Sequence, residues 1–248
     1  LAKRITSSGG TVTRINVVDD NVDDIASILR ESMERRNDYV ITVGGLGPTF
    51  DDKTLQGVAK AFGRKLTVND KALEMVEDKY RSYVAEGRIG QFELTSSRVK
   101  MAKLPEEAEP LPNPVGTAPG VKIKWGKKTI ISLPGVPSEM KTIFEDSVLP
   151  TLKKATGNLT FLEAGMKVTS VVESELAPII DDVMNGNPYV YIKSHPQGAE
   201  RIPRIEFHLS TTAKNFTVAR NRLKKALSQL SKMIKKKGGK INGVRQGI

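Results

Sequence analysis

The chain contains no cysteine, which excludes disulfide scaffolds, cysteine nucleophiles and thiolate-bound zinc. Histidine occurs only at His195 and His208, so a multi-histidine metal centre is excluded too. Any metal has to sit on Asp and Glu oxygens, the preference of hard, magnesium-like ions. No run approaches the roughly 18 apolar residues of a membrane span, so the chain reads as soluble, with no membrane partner. Nothing resembles a signal peptide, and a cytoplasmic location is expected. Acidic residues are missing from one region: residues 213–248 hold 11 Lys or Arg and no Asp or Glu. The other 212 residues carry 28 basic and 28 acidic side chains. The net charge of +11 is therefore a C-terminal property, and the body of the chain has to be read without it.

What is present is regular. The length of 248 residues supports one large or two modest domains with a sizeable core. Residues 1–5 read as the last turn of a helix, so an element upstream is expected. Residues 11–18 hold Val12, Ile15, Val17 and Val18 in a β-rich run and predict a buried strand. Asp19, Asp20 and Asn21 are candidate caps for a helix whose apolar positions, Val22, Ile25, Ile28, Leu29 and Met33, recur at three and four residues. Residues 38–43 predict a strand stopped by Gly44-Gly45. Helices follow at about residues 54–62 and 69–87. Residues 120–125 and 128–133 read as strands about a turn at Gly126, and residues 134–137 lead into a helix over about 138–149. This alternation predicts an α/β domain, a mostly parallel sheet sandwiched by helices with ligands at its carboxyl edge.

Pro150 and Gly157 mark an expected boundary, giving domains 1–157 and 158–248. The second reads as strand (163–172), helix (173–184), two strands (189–193 and 205–210) and helix (216–236). That is a small α+β domain ending in a basic helix and tail.

The strongest chemical signal is Gly44-Gly45-Leu46-Gly47-Pro48-Thr49-Phe50-Asp51-Asp52-Lys53-Thr54. Three glycines in four positions let the backbone turn sharply and bring bare N–H groups to a ligand. The start of the next helix adds unpaired donors and a positive dipole end. The pattern describes a phosphate site at Gly44, Gly45, Leu46, Gly47 and Thr49. Asp51 and Asp52 oppose a phosphate unless a cation sits between, so a divalent ion on either makes the arrangement productive. The other reading is a glycine-rich strand–helix turn with an Asp cap. A Walker A loop is excluded, because its Gly-Lys-Ser/Thr ending is absent. Asn113, Gly116 and Thr117 offer an amide and backbone donors in a second loop, or form a turn held by prolines. Gly135 and Ser138 fall at the expected carboxyl edge, with Ser138 a candidate cap. Glu139 either completes a metal shell or stabilises a helix dipole.

Four ordered stretches carry a resemblance: VDDN at 18–21, GGLGPTFDDKT at 44–54, NPVGTAPG at 113–120 and LPGVPSEM at 133–140. Together they resemble the CinA amino-terminal domain, a branch of the molybdopterin-binding fold shared with MogA, MoaB and MoeA proteins. Residues 158–248, including YIKSHP at 191–196, resemble the smaller domain that follows in that family. The resemblance implies an α/β sandwich holding a nucleotide or pterin phosphate at the glycine loop. It also implies metal-dependent ADP-ribose pyrophosphatase activity, giving AMP and ribose 5-phosphate with Mg, Mn or Co as the divalent ion. The relatives' loop ends in one Asp, which matches Asp52. That makes Asp52 the expected catalytic metal ligand, with Asp51 in support and Glu139 as a third oxygen donor. A homo-oligomer, dimer or trimer, is implied as well. The first alternative is molybdopterin binding or adenylyl transfer of the MoaB/Mog type. The second is a nucleic-acid-binding module with a vestigial nucleotide site. Two family features have no counterpart in these residues: the strand and loop that precede the first helix, and the carboxy-terminal deamidase domain.

In the second domain, His195 is expected in a solvated loop and His208 in a structural role within a strand. The basic C-terminus reads as a solvated helix face with a disordered end, a nucleic-acid surface, or a weak attractor of anionic substrates. No GXXG clamp appears there, and aromatic residues are sparse.

Overall fold

The computed structural model describes residues 1–197 and 204–246. In chain order the elements begin α1 (Ala2–Ser7), α2 (Val22–Glu34), β1 (Tyr39–Val43), α3 (Thr54–Phe62), β2 (Leu66–Val68) and α4 (Asp70–Ala85). Next come α5 (Ser96–Lys100), β3 (Lys103–Pro105), β4 (Glu109–Leu111), β5 (Gly120–Trp125), β6 (Lys128–Leu133) and α6 (Pro137–Ile143). A π-helical segment (Phe144–Val148) joins α6 to α7 (Leu149–Ala155). The chain ends with β7 (Thr160–Thr169), α8 (Glu173–Gly186), β8 (Val190–Gln197), β9 (Arg204–Ala213), α9 (Phe216–Lys236) and β10 (Lys240–Gln246). Two compact units result, Arg14–Pro150 on one hand, Leu1–Thr13 with Thr151–Ile248 on the other. None of the helices among the described residues is long and apolar enough to cross a membrane.

The Arg14–Pro150 unit is α/β, as expected, and its sheet is mixed. The strand order is β1-β6-β5-β4, with β1 and β6 parallel and the remaining pairs antiparallel. Gly126, at φ 58°, makes the tight turn between β5 and β6, which is why these neighbours run antiparallel. Asn21 caps α2 by accepting from the N–H groups of Asp23 and Asp24, and Asn69 caps α4 through the N–H of Ala72. Gly57 lets α2 and α3 close together: a Cβ there would stand 2.3 Å from Cγ2 of Ile25. Val58, Val76, Leu104, Ile123 and Ile130 make the core of this unit.

Residues 11–18 are the clearest departure from expectation. They form no strand, and Ile15 and Val17 are 74% and 99% exposed. β-Branched residues suit a pleated, half-buried surface, but a strand also needs a partner ladder. β1 pairs with β6 alone among the described strands. The helix expected to stop near residue 149 instead continues through Pro150 to Ala155. The wider π-helical turn ends just before that proline, where a missing N–H interrupts the regular ladder.

The second unit runs β7-α8-β8-β9-α9-β10, with strand order β10-β7-β9-β8 and all pairs antiparallel. This is the split βαβ pattern of ferredoxin-like domains. Along β9 the residues Ile205, Phe207, Leu209, Thr211 and Ala213 are buried while their neighbours are not, the period-two signature of a sheet with one packed face. Leu176, Ile179 and Val183 of α8, with Leu223, Leu230 and Ile234 of α9, complete that core. β10 corrects the expectation of a disordered tail. Its sequence, Lys240-Ile241-Asn242-Gly243-Val244, shows no apolar alternation because a bulge shifts the register between Ile241 and Gly243.

Candidate functional site

β1 and β6 run parallel with Val43 opposite Leu133, so both leave the sheet at the same carboxyl edge. The loops that follow them carry two of the recognised motifs. The N–H of Gly44 donates to the Leu133 carbonyl at 2.9 Å, and a Cβ on Gly135 would lie 3.4 Å from Cα of Gly44. Gly135 and the glycine loop are therefore neighbours.

Gly45 has φ +69°, and a Cβ on it would fall 2.2 Å from Oγ1 of Thr54. That hydroxyl donates to the Gly44 carbonyl at 2.8 Å, while the Thr54 N–H donates to the Gly45 carbonyl at 3.2 Å. Thr54, the first residue of α3 and nearly buried, thus ties the loop to the start of the helix. Gly47 is tight for a different reason: a Cβ there would sit 2.6 Å from Oδ2 of the Asp52 side chain. Asp52 in turn accepts from the N–H of Thr49 at 2.9 Å, which uses up the donor expected to hold phosphate at that residue. Among the described residues nothing accepts from the N–H groups of Gly45, Leu46 and Gly47.

The Thr49 hydroxyl shares its single proton between Asp52 Oδ2, at 2.6 Å, and Asp51 Oδ1. This hydrogen bond is the main reason that the Asp51 carboxyl is held below its ordinary value of 3.8; its own backbone N–H and the charges of Lys100 and Lys53 act in the same direction. A carboxylate favoured in the folded state adds stability above its unfolded pKa and loses it as pH falls through the lowered folded value. The Asp51–Thr49 contact is accordingly expected to persist at neutral pH and to break only below about pH 4. A carboxyl-carbon NMR titration checks this, and Thr49→Val should move the Asp51 midpoint up.

The loop opens onto a pocket of about 360 Å³ whose lining includes Gly45, Leu46, Gly47, Asp52, Lys100 and Lys103. Asp51 and Thr49 stand outside this lining. The two lysines were not among the residues singled out from sequence, and nothing local marks them in a chain with 39 basic residues. Lys100 ends α5 and its ammonium donates to the Thr49 carbonyl. Lys103 begins β3, where it pairs with Val68 of β2; Leu66 of that strand, opposite Pro105, is another wall residue.

The second recognised loop is occupied with itself. The Asn113 amide donates to Glu139 Oε2 at 2.7 Å and to the Ala118 carbonyl at 2.8 Å, while its oxygen accepts from the N–H groups of Val115 and Gly116. The carboxylate of Glu139 lies over Gly116, where a Cβ would come 2.1 Å from its carbon. The hydroxyl of Thr117 faces the sulfur of Met101 at 3.6 Å. Among the described residues no three His, Asp or Glu side chains come close enough to hold a metal ion. Glu139 thus does not join Asp51 and Asp52, because Asn113 holds it elsewhere. Ser138 is not the cap of α6 either; Val136 occupies that position and Pro137 follows at the first turn. Asn113→Ala would leave the half-buried Glu139 without its amide partner, at an expected cost of about 1–2 kcal/mol, measurable by urea unfolding.

The two histidines lie in the other unit. His195 is in β8 opposite Glu206 rather than in a loop, and His208 is in β9 opposite Lys193.

The family model described as "Probable molybdopterin binding domain" matches residues 1–154. The chain belongs to this family. A protein of Pyrobaculum arsenaticum is 42% identical over 240 residues, covering 96% of this chain and 88% of its own length. A protein of Aeropyrum pernix is 43% identical over 243 residues, covering 98% and 88%. Among solved structures, the protein CinA with unknown function from Thermoplasma acidophilum matches with 42% identity and a TM-score of 0.52 over 61% of this chain and 80% of that one. The CinA-like motifs thus belong to a molybdopterin-binding-type domain, with the glycine loop at its carboxyl edge.

Proposed function

We propose that the Arg14–Pro150 unit binds a phosphate group of a small pterin or nucleotide, in the manner of a MoaB/Mog-type protein. One observation carries the reading: the glycine-loop pocket combines backbone donors that lack a partner among the described residues with two lysines in its lining. Backbone N–H groups from Gly45, Leu46 and Gly47 are fixed donors that need no reorganisation on binding. Lys100 and Lys103 offset the ligand's charge, and Lys100 also braces the loop through the Thr49 carbonyl.

The donor set is compatible with a divalent cation at Asp52 and Asp51. Both carboxylates already converge on one oxygen, the Thr49 hydroxyl, and magnesium commonly takes one or two carboxylates plus phosphate oxygens. Such an ion would act as counter-charge and Lewis acid for the bound phosphate. Hydrolysis of ADP-ribose is less well supported, since the third carboxylate expected to help, Glu139, is engaged by Asn113. Binding and orientation of a phosphate, with adenylyl transfer as the associated chemistry, fit the geometry better. The same reading takes the working form to be a dimer or trimer, which light scattering tests.

Calorimetric titration of the protein with ADP, AMP and pyrophosphate, with and without magnesium, tests the proposal. One saturable site, shared by all three ligands and tightened by magnesium in a way that Asp52→Asn removes, is the expected result. Absence of saturable binding by every phosphate ligand would overturn it. Incubation with ADP-ribose, followed for AMP, separates binding from hydrolysis.

A further inference from the structure

The sheet of the second unit packs its core against α8 and α9 on one face, and strand alternation turns every other residue to the opposite face. The register places Arg245, Gly165, His208 and Lys193 in one row across the four strands. On β8, Tyr191 and His195 flank Lys193 on the same face. Tyr191 is 58% exposed, the side chain of His208 is 42% exposed, and the rings of His195 and His208 meet edge to face at 5.1 Å. The aromatic groups that looked sparse along this part of the chain are thus gathered on one open surface, with Lys193 and Arg245 at its two ends and Lys167 in the adjoining row.

We propose that this open sheet face binds single-stranded RNA. Tyr191 and His208 offer flat rings on which unpaired bases stack, and Lys167, Lys193 and Arg245 meet the phosphates. Charge favours a polyanion: residues 213–248 hold 11 basic and no acidic side chains; most are on α9, across the sheet, while Arg245 joins Lys193 and Lys167 on this face. Glu163 and Glu206 share the surface, and they select among polyanions. A carboxylate repels phosphate but accepts a hydrogen bond from a ribose 2′-hydroxyl, which the DNA sugar lacks, and lipid headgroups offer no base for the rings to stack on. The competing surface is a groove of about 370 Å³ along α9, lined by Lys224, Lys232 and Lys235 with Ser228 and Ser231. It offers cations and hydroxyls without a ring, so it would read backbone charge alone.

Fluorescence anisotropy of the whole chain with a labelled, mixed-sequence RNA of about 12 nucleotides separates these surfaces. Tyr191→Ala and His208→Ala should each weaken binding about fivefold or more, with little change in the circular-dichroism melt, because Tyr191 is exposed and His208 only half-buried. Lys193→Glu with Arg245→Glu should weaken binding and flatten its salt dependence, and it tests the same face should the ring variants misfold. The DNA strand of the same sequence should bind more weakly, and vesicles of phosphatidylglycerol should not compete. RNA binding that ignores all four sheet-face changes and is lost in Lys224→Ala/Lys232→Ala/Lys235→Ala would overturn the proposal. So would an absence of RNA binding, equal affinity for the DNA strand, or displacement of the RNA by the vesicles.

Discussion

Gly45→Val should abolish phosphate binding and lower stability by about 3 kcal/mol. Two effects combine. A side chain at φ +69° pays roughly 1–2 kcal/mol of backbone strain, and the first added carbon falls 2.2 Å from Oγ1 of Thr54. Thr54 cannot retreat cheaply, because it is nearly buried and its hydroxyl and N–H tie the loop to α3. The loop has to leave its cradle shape, and the donors of Gly45, Leu46 and Gly47 go with it. Gly44→Ala is the internal control. Its Cβ meets nothing within 4 Å, so it bears the backbone strain alone, about 1–2 kcal/mol. Thermal melts and ADP titration of the two variants check this ordering. A Gly45→Val protein that melts and binds like the parent would show that the loop shape is not what holds the ligand.

Phe207→Ala should cost more stability than any change at the site, about 3–5 kcal/mol. Phe207 is fully buried at the centre of the second unit's core, among Met166, Leu209, Leu176 and Leu230. Removing the ring loses its burial and leaves a cavity that neighbours on a paired sheet close only in part. Hydrogen exchange should show the loss in β7 and β9, whose residues Met166 and Phe207 are direct partners. Protection unchanged in those strands would mean that this core is not what holds the sheet.

Elements were legible from sequence where one local signal decided them. α3 has its expected limits because apolar residues recur along one face and Gly63, at φ 63°, ends it. The β5–β6 hairpin follows from Gly126 between two apolar runs. Residues 11–18 misled because propensity reports the fit of a residue to a sheet and not the existence of a partner strand. β10 was missed for the opposite reason: pairing with β7 overrides a segment with no apolar alternation.

The site divides in the same way. Glycines were readable, since Gly45, Gly47 and Gly116 each lie where a Cβ would strike Thr54, Asp52 or Glu139. Asn113 and Glu139 were both recognised, yet their contact spans 26 residues and spacing gave no warning that the amide would take the carboxylate away from the aspartates. Lys100 and Lys103 carried no mark in the sequence; α5 and the β2–β3 ladder bring them to the pocket.

The most direct test is the affinity of the protein for ADP, by calorimetry, before and after Lys100→Ala combined with Lys103→Ala. Two charged partners of a phosphate, at about 1.5–3 kcal/mol for each charge-assisted hydrogen bond, predict at least a tenfold rise in Kd with little change in the melt. An unchanged Kd in the folded double variant would contradict the assignment of this pocket as the phosphate site.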